Sequence, residues 1–366
     1  MKKRTDTAYM RLALELAAKA KEKTYPNPMV GAVIVKGGRI IGRGYHRKAG
    51  ADHAEVAAIK DAGSCRGAEM YVTLEPCDHY GRTPPCTASI IKSGIKKVNI
   101  AMKDPSGLNN GRGMRKLKKA GIRVSVGLLA EEAEKLNRKY IKFTTTGLPY
   151  ITVKLAQSAD GKIAARDGSS KWISSARSRR LVKKIRSGFD AIMVGANTVL
   201  RDDPLLMGVE GRSIGVSRVI LDSRLRTPAD SNVVRTAKKA PVIFGTTQLA
   251  PFSKIERFRR TEGVDVIVTR KKGSRVALRP FLSELAARGL VSIMVEGGGE
   301  LVGSLIDESL VDEFLFFIAP KVIGGGNYSV GGKGVSNIKG AIELRDVEVK
   351  RSGSDIFIRG SACSRG

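Results

Sequence analysis

The chain has 366 residues, 42% hydrophobic and 27% charged, which excludes a disordered or fibrous polymer and exceeds the length at which single cores stop growing, so two domains are expected. Lysine and arginine outnumber aspartate and glutamate 65 to 35, a formal net charge of +30, but the cations form no basic tail and aromatics at 5% are sparse, so no specific nucleic-acid partner is expected. No apolar run approaches a bilayer span, no apolar signal core follows Lys2-Lys3-Arg4, and four cysteines make no disulfide framework; a cytoplasmic protein without membrane partners is expected.

In chain order, Thr5 to Lys23 carries Tyr9, Leu12 and Leu16 at helical spacing before Tyr25-Pro26-Asn27-Pro28, where two prolines stop a helix. Two apolar runs, Val30 to Val35 and Arg39 to Gly44, flank Gly37-Gly38 and predict a hairpin with a two-residue turn. Strands are predicted at Met70 to Leu74, Val98 to Met102 and Val124 to Val126, alternating with helices after His53, after Cys86 and after Gly113. A last helix over Glu131 to Lys142 meets the polar turn Thr144 to Pro149, where the domain boundary is placed. A second strand series follows at Tyr150–Leu155, Ala191–Val194, Arg218–Leu221, Pro241–Phe244, Val264–Val268, Val291–Val295 and Phe314–Ile318. A hairpin around Gly353 closes what reads as a mixed sheet.

All three histidines fall between His46 and His79, and Cys77 and Cys86 lie beside the last of them. One imidazole, His53, and two thiolates, Cys77 and Cys86, are the three ligands of a catalytic zinc site whose fourth position is left for water. His53 and Glu55 are two residues apart and do not share a helix face, so Glu55 stays off the metal and is free to move protons. Cys86 follows Pro84-Pro85 and is expected in the opening turn of a helix, where backbone N–H groups favour a thiolate. One zinc per chain is expected, with Cys65 and Cys363 dispensable. His-x-Glu followed by Pro-Cys and a second Cys is the pattern of zinc-dependent deaminases, in which the glutamate is the general acid and base and water attacks an amino-bearing ring carbon.

The second half of that pattern departs from the usual Cys-x-x-Cys, because Asp78-His79-Tyr80-Gly81-Arg82-Thr83-Pro84-Pro85 separates the cysteines. The segment Pro76 to Cys86, with Tyr25-Pro26-Asn27-Pro28-x-Val30-Gly31 and Gly42-x-Gly44-x-His46, resembles the bifunctional deaminase/reductase family of riboflavin biosynthesis. The resemblance implies a phosphoribosyl-pyrimidine as small-molecule substrate, with Asn27, His46, His79 and Arg82 as contacts. Arg82 and His46 suit a sugar phosphate, since a guanidinium offers a planar fork of donors.

No histidine follows His79, so chemistry in the second half cannot use imidazole, and a redox cofactor is a natural solution. Glu296-Gly297-Gly298-Gly299 joins a strand to a helix, where glycine allows close approach of a ligand and the helix start attracts phosphate. Lys154 to Ala164, Ser170 to Ser174 and Gly195 to Leu205 are similar to the reductase half of the same family, which has a dihydrofolate-reductase-like fold. The resemblance implies nicotinamide-nucleotide contacts at Ala156, Trp172, Thr198, Asp202, Ser223 and Gly297 to Gly299, and substrate contacts at Ser170, Arg186, Leu206 and Glu296. The family's arginine close after Leu206 is absent, and Arg212 is the residue that could replace it. Ser223 and Arg224, just after a strand, suit the 2′-phosphate of NADPH, whereas Asp222 is an opposing charge of undetermined direction.

The expected protein is an α/β enzyme. It joins an amino-terminal three-layer α/β/α cytidine-deaminase-like domain, residues 1–146, to a carboxy-terminal dihydrofolate-reductase-like mixed-sheet domain, residues 147–366. It uses Zn2+ and NADPH, and a homo-oligomer is left open. The competing reading is a nucleic-acid-acting zinc deaminase with an accessory domain, favoured by the charge and opposed by the long insert between the cysteines.

Overall fold

The computed structural model describes residues 5–20, 24–80, 84–209 and 216–362, and it divides into two compact units, Met1–Gly147 and Leu148–Gly366.

The first unit contains strands β1 (Gly31–Lys36), β2 (Arg39–Tyr45), β3 (Glu69–Leu74), β4 (Lys97–Met102) and β5 (Arg123–Val126), in spatial order β2-β1-β3-β4-β5. Its helices are α1 (Asp6–Ala18), α2 (Ala54–Ala62), α3 (Cys86–Lys92), α4 (Arg112–Lys119) and α5 (Ala130–Thr146). Gly37 and Gly38 take φ of 57° and 77°, the left-handed pair that a tight β1–β2 hairpin needs. Pairs β3–β4 and β4–β5 are parallel, so α3 and α4 are crossover helices. Side chains alternate across the sheet. Ala32, Ile34, Met70 and Val72 pack with Ala54, Ala58, Ile90 and Leu117 of α2, α3 and α4, while Val33, Val35 and Tyr71 pack with Tyr9, Met10, Ala13 and Ala133 of α1 and α5. Three layers result. The helix expected over Thr5–Lys23 is shorter, Asp6–Ala18, with Thr5 as N-cap. Lys19 and Ala20 donate to the carbonyls three residues back, at 3.1 Å each, which tightens the last turn and ends it.

The second unit has a nine-stranded sheet. Its strands are β6 (Tyr150–Ser158), β8 (Ala191–Gly195), β9 (Ser217–Leu221), β10 (Val242–Thr246), β11 (Val264–Val268), β14 (Ser292–Glu296), β15 (Glu313–Ala319), β17 (Leu344–Ser352) and β18 (Asp355–Ala362). The order is β11-β10-β9-β8-β14-β6-β15-β18-β17, parallel from β11 to β15 and antiparallel in the closing hairpin. Two short ladders, β7 (Lys162–Ala164) with β16 (Asn327–Tyr328) and β12 (Lys271–Lys272) with β13 (Arg275–Val276), lie outside the sequence expectations because runs so short carry no periodicity. Helices α6 (Ala176–Arg186), α7 (Ala196–Asp202), α8 (Asn232–Arg235), α9 (Phe252–Arg259), α10 (Leu278–Ala287) and α11 (Gly299–Asp307) complete the unit. Two apolar clusters fill it. One is built around Val194, Ile220, Phe244 and Phe317, the other around Val153, Met193, Phe281 and Val295. Arg218 is fully buried without a carboxylate partner among the described residues and donates to Thr236 Oγ1 (2.7 Å), Leu205 O (3.2 Å) and Ala240 O; its burial pulls the guanidinium down to about 10. No helix among the described residues is long and apolar enough to cross a membrane.

Glycine decides how closely α2 lies on β2. A Cβ at Gly44 would stand 2.3 Å from Ala54 O and 2.4 Å from Ala58 N, both backbone atoms of that helix. Gly44→Ala should therefore push α2 off the sheet at a cost of about 1–3 kcal/mol, the usual range for overpacking. Hydrogen exchange across α2 measures it; unchanged protection of Ala54 to Ala62 would contradict the packing argument.

Candidate active sites

In the first unit, His53 is the N-cap of α2 and Cys86 is the first residue of α3, while Cys77 follows the end of β3 by three residues. These three elements bring His53 Nδ1 to 3.1 Å from Cys86 Sγ and 3.6 Å from Cys77 Sγ, and the three ligand atoms all lie within 4.8 Å of one another. Tetrahedral zinc with one nitrogen and two sulfur ligands requires edges of roughly 3.5 to 3.8 Å; the donor set fits zinc in type, the His53–Cys77 edge has that spacing, and the His53–Cys86 edge is shorter. The two sulfurs are unequal. A hydrogen bond with Cys86 is the main cause that holds the Cys77 thiol down to about 4, while the same bond, with burial, pushes Cys86 up. His53 is raised, first by its hydrogen bond to Cys77.

Glu55 is not among the ligand group and sits 4% exposed in the first turn of α2. Burial, followed by the charge of Cys77, pushes its carboxyl up to about 7. His46 is buried, with Nδ1 3.0 Å from Asp52 O and Nε2 3.3 Å from the Asn27 amide nitrogen; its ring stands edge-on to His53 at 5.3 Å. A carbonyl can only accept, so Nδ1 carries the proton and Nε2 accepts from Asn27. Burial lowers the pKa of this ring, which keeps it neutral. His79 lies in the loop between the cysteines, with a buried Nδ1 that meets no hydrogen-bond partner among the described residues. Arg82 falls outside the described residues, as do Arg212 and Cys363. Asn27 and His46 thus stand together beside the ligand cluster.

Sequence reasoning missed the residue that holds the cysteine loop. Glu75, buried just after β3, accepts backbone N–H bonds from Asp104 (3.2 Å), Gly111 (3.0 Å) and Met114 (3.2 Å). Beside it, the Asn109 amide donates to Pro76 O (3.2 Å) and its oxygen accepts from Asp78 N (3.1 Å). A Cβ at Gly113 would meet Pro76 O at 1.9 Å. Residues 104–114 therefore clamp the turn that presents Cys77. Its only sequence signal is a carboxylate at the end of an apolar strand, adjoining Pro-Cys.

In the second unit a cavity of ≈ 1680 Å³ opens at the carboxyl ends of the parallel strands, lined by Ala156, Ser170, Trp172, Arg186, Thr198, Asp202, Leu206, Ser223, Arg224 and Glu296 to Gly299. Every reductase-half position named from the resemblance is in it. Glu296, the last residue of β14, receives Arg186 through two bonds, Nε at 2.5 Å and Nη2 at 2.9 Å, and Lys154 Nζ at 3.0 Å. Burial alone would raise this carboxyl, but Lys154 and then Arg186 outweigh it and hold it at about 2. Arg186 also donates to Met207 O at 2.9 Å, which ties the segment after Leu206 to the same cluster. Lys154 is the member that sequence reasoning left unassigned, a lysine between Val153 and Leu155 in a largely buried strand.

The glycines fit a nucleotide cradle. Gly297 has φ +146° and a Cβ there would meet Thr198 Oγ1 at 2.8 Å, while one at Gly299, where α11 starts, would meet Tyr328 O at 2.5 Å. The Asp222 carboxylate is engaged by its own loop, accepting from Thr227 N (2.7 Å), Thr227 Oγ1 (2.8 Å) and Arg224 N (3.4 Å). Arg224 is exposed on the rim, and Ser223 Oγ accepts from Val276 N at 3.1 Å. Trp172 is 63% exposed, with the Arg179 guanidinium 4.2 Å over its ring; it is a rim residue, not a core anchor.

A zinc deaminase joined to a reductase is the class that these two units define. Residues 3–102 match the cytidine and deoxycytidylate deaminase zinc-binding region, and residues 149–358 match the RibD C-terminal domain. The chain is 44% identical over 358 residues to the riboflavin biosynthesis protein RibD of Aquifex aeolicus, covering 96% of this chain and 97% of that one, and 37% identical to that of Escherichia coli, covering 96% and 98%. Among solved structures, Acinetobacter baumannii RibD superposes with a TM-score of 0.85 at 34% identity over 98% of this chain and 99% of its own. A deaminase/reductase of Thermotoga maritima gives 0.82 at 35% identity, with 98% of each chain covered. The chain belongs to the RibD family, the bifunctional zinc deaminase and reductase of riboflavin biosynthesis.

Removing the Glu75 carboxylate strands three backbone N–H groups behind the cysteine loop. Glu75→Ala should weaken zinc binding about 10- to 100-fold, the range for partners that orient metal ligands, and leave reduction unchanged. Chelator competition measures this, and wild-type zinc affinity in the variant would refute the clamp.

Proposed function

We propose that this enzyme deaminates diaminohydroxyphosphoribosylaminopyrimidine in its first unit and reduces 5-amino-6-(5-phosphoribosylamino)uracil with NADPH in its second, the two activities named for the Thermotoga maritima protein. The observation that carries the reading is the pairing, in one chain, of a His53/Cys77/Cys86 cluster beside an unliganded, buried Glu55 with a glycine-cradled cleft at Gly297 to Gly299. The small-molecule reading is also favoured over a nucleic-acid substrate by matches to RibD proteins that run nearly the full length of the chain.

His53, Cys77 and Cys86 would hold zinc, which when bound would supply the Lewis acidity that makes water a nucleophile near neutral pH. Glu55 takes a proton from the attacking water at its carboxylate and returns it to the amino group that leaves as ammonia. Asn27 and neutral His46, linked at 3.3 Å, orient the substrate over the cluster, with His79 and Arg82 completing the grip. In the second unit NADPH, when bound, would supply the reducing equivalents for the ring-opened ribosyl carbon. Gly297 to Gly299 and the start of α11 would receive its phosphates, and Ala156, Trp172, Thr198, Asp202 and Ser223, which line the same cleft, would contact it. Glu296, fixed by Lys154 and Arg186, accepts hydrogen bonds from the substrate alongside the Ser170 hydroxyl, with Leu206 in apolar contact, while Arg224 would meet the 2′-phosphate.

Mixing the protein with the diamino-pyrimidine, with and without NADPH, and weighing the products tests the whole reading. Loss of ammonia without NADPH, followed by a two-hydrogen gain with it, is expected. Glu55→Gln should slow deamination about 100- to 10,000-fold while reduction of the deaminated compound persists; a folded variant lacking both activities contradicts separate sites. Arg224→Ala should raise the KM for NADPH far more than that for NADH, a loss of about 1.5 to 3 kcal/mol for a charged hydrogen bond. Equal weakening of both cofactors removes Arg224 from the phosphate site.

A further inference from the structure

The last helix of the first unit departs from helical geometry at one residue. Within α5, Asn137 takes φ −105° and ψ 15°, and its side chain is 2% exposed. Its carboxamide pairs with both polar backbone groups of Met29, as a neighbouring strand would. Oδ1 accepts from Met29 N at 2.8 Å, and Nδ2 donates to Met29 O at 3.0 Å. The two residues are 108 positions apart in sequence, so this is a long-range tether and not a cap on the helix's own turn. Met29 follows the turn in which Asn27 N donates to Thr24 O at 2.8 Å, and the Asn27 amide reaches His46 Nε2 at 3.3 Å, whose ring stands edge-on to His53. A continuous line of contacts thus runs from α5 to the residues beside the ligand cluster.

We propose that Asn137 is a positioning residue of the deamination step, acting through Met29 to fix the turn that presents Asn27 to the substrate. A carboxamide suits this place because its donor and acceptor branch from one carbon in one plane, matching an N–H and a C=O on one residue. Met29 is itself buried, so either backbone group left unpaired would be desolvated without a partner. The chemistry of the step is unchanged by Asn137. What it controls is how much of the time Asn27 stands where a substrate group can meet it. The inference rests on the assignment of Asn27 to the deaminase substrate, and its test is arranged to separate the two.

Three forms of the full chain, each loaded with one zinc, decide it: the natural protein, Asn137→Ala and Asn137→Asp, the last keeping size and the acceptor for Met29 N while losing the donor for Met29 O. Both variants should raise the KM for the pyrimidine on the order of 10-fold, with a smaller change in kcat and unchanged zinc content, since a loosened contact residue misplaces substrate. Combining Asn137→Ala with Asn27→Ala should add little to either change alone, because the two act on one contact. A merely structural role would instead lower zinc content and the active fraction with KM unchanged, and that outcome in Asn137→Asp overturns the proposal, as do fully additive effects. Should Asn137→Ala fail to fold, Asn137→Asp alone decides by its KM. Hydrogen exchange at the Met29 amide gives a readout free of any substrate. Faster exchange in the variants supports the tether even if the natural protein proved inactive on this pyrimidine, which would overturn the substrate assignment alone; unchanged exchange overturns the tether.

Discussion

Parallel pairing of strands is the constraint on which both active sites depend. A parallel neighbour cannot be reached by a tight turn, so the chain must leave each strand at its carboxyl end and return through a crossover, which in these units contains a helix. Helix starts and strand ends therefore gather on one edge of each sheet, and that edge is where open α/β sheets place their ligands. In the first unit the rule brings the end of β3 and the start of α3 together, and with them Cys77 and Cys86. Strand β2 runs the same way as β3 across the antiparallel β1 between them, and it delivers the N-cap of α2, His53, to that edge. In the second it brings Gly195, Leu221 and Glu296 into one row at the ends of β8, β9 and β14, with Lys154 beside Glu296 in register on β6.

Buried carboxylates carry the local precision in both places, by two different means. Glu75 is satisfied by three backbone N–H groups, so its charge is neutralised by dipoles of the loop it organises. Glu296 is satisfied by two cations, and the Arg186 guanidinium gives that pair a fixed plane as well as charge. Glu55 has neither support to the same degree and is correspondingly pushed toward its protonated form by burial, followed by the charge of Cys77. The contrast separates carboxylates that hold architecture from the one suited to proton transfer.

The basic composition finds no single outlet in this arrangement. Several cations line the reductase cleft, among them Lys171, Arg179, Arg180, Lys183, Arg201 and Lys272, which suits phosphate-bearing ligands, while others, such as Arg115, Lys118 and Lys119, lie on the exposed face of α4.

Much of this protein was determined by its sequence alone. The short apolar runs marked the strands of both sheets, the Gly37-Gly38 pair marked the hairpin, and the clustering of every histidine with two cysteines pointed to one metal site and its chemistry, because ligand type and local spacing are properties of nearby residues. The motif resemblance reached further and named cleft residues from Ala156 to Gly299 that periodicity could not. What only tertiary structure decided are the contacts between distant segments: Glu75 with the 104–114 loop, Lys154 and Arg186 on Glu296, Asn137 on Met29, and the turning of Asp222 into its own loop. The first three kinds of contact join residues far apart in the chain, so no window of sequence contains both partners. The last is local, yet its direction depends on the φ/ψ path of a turn whose carboxylate could have faced either the ligand or the backbone. Hydrogen-bond satisfaction in the folded loop chose the backbone.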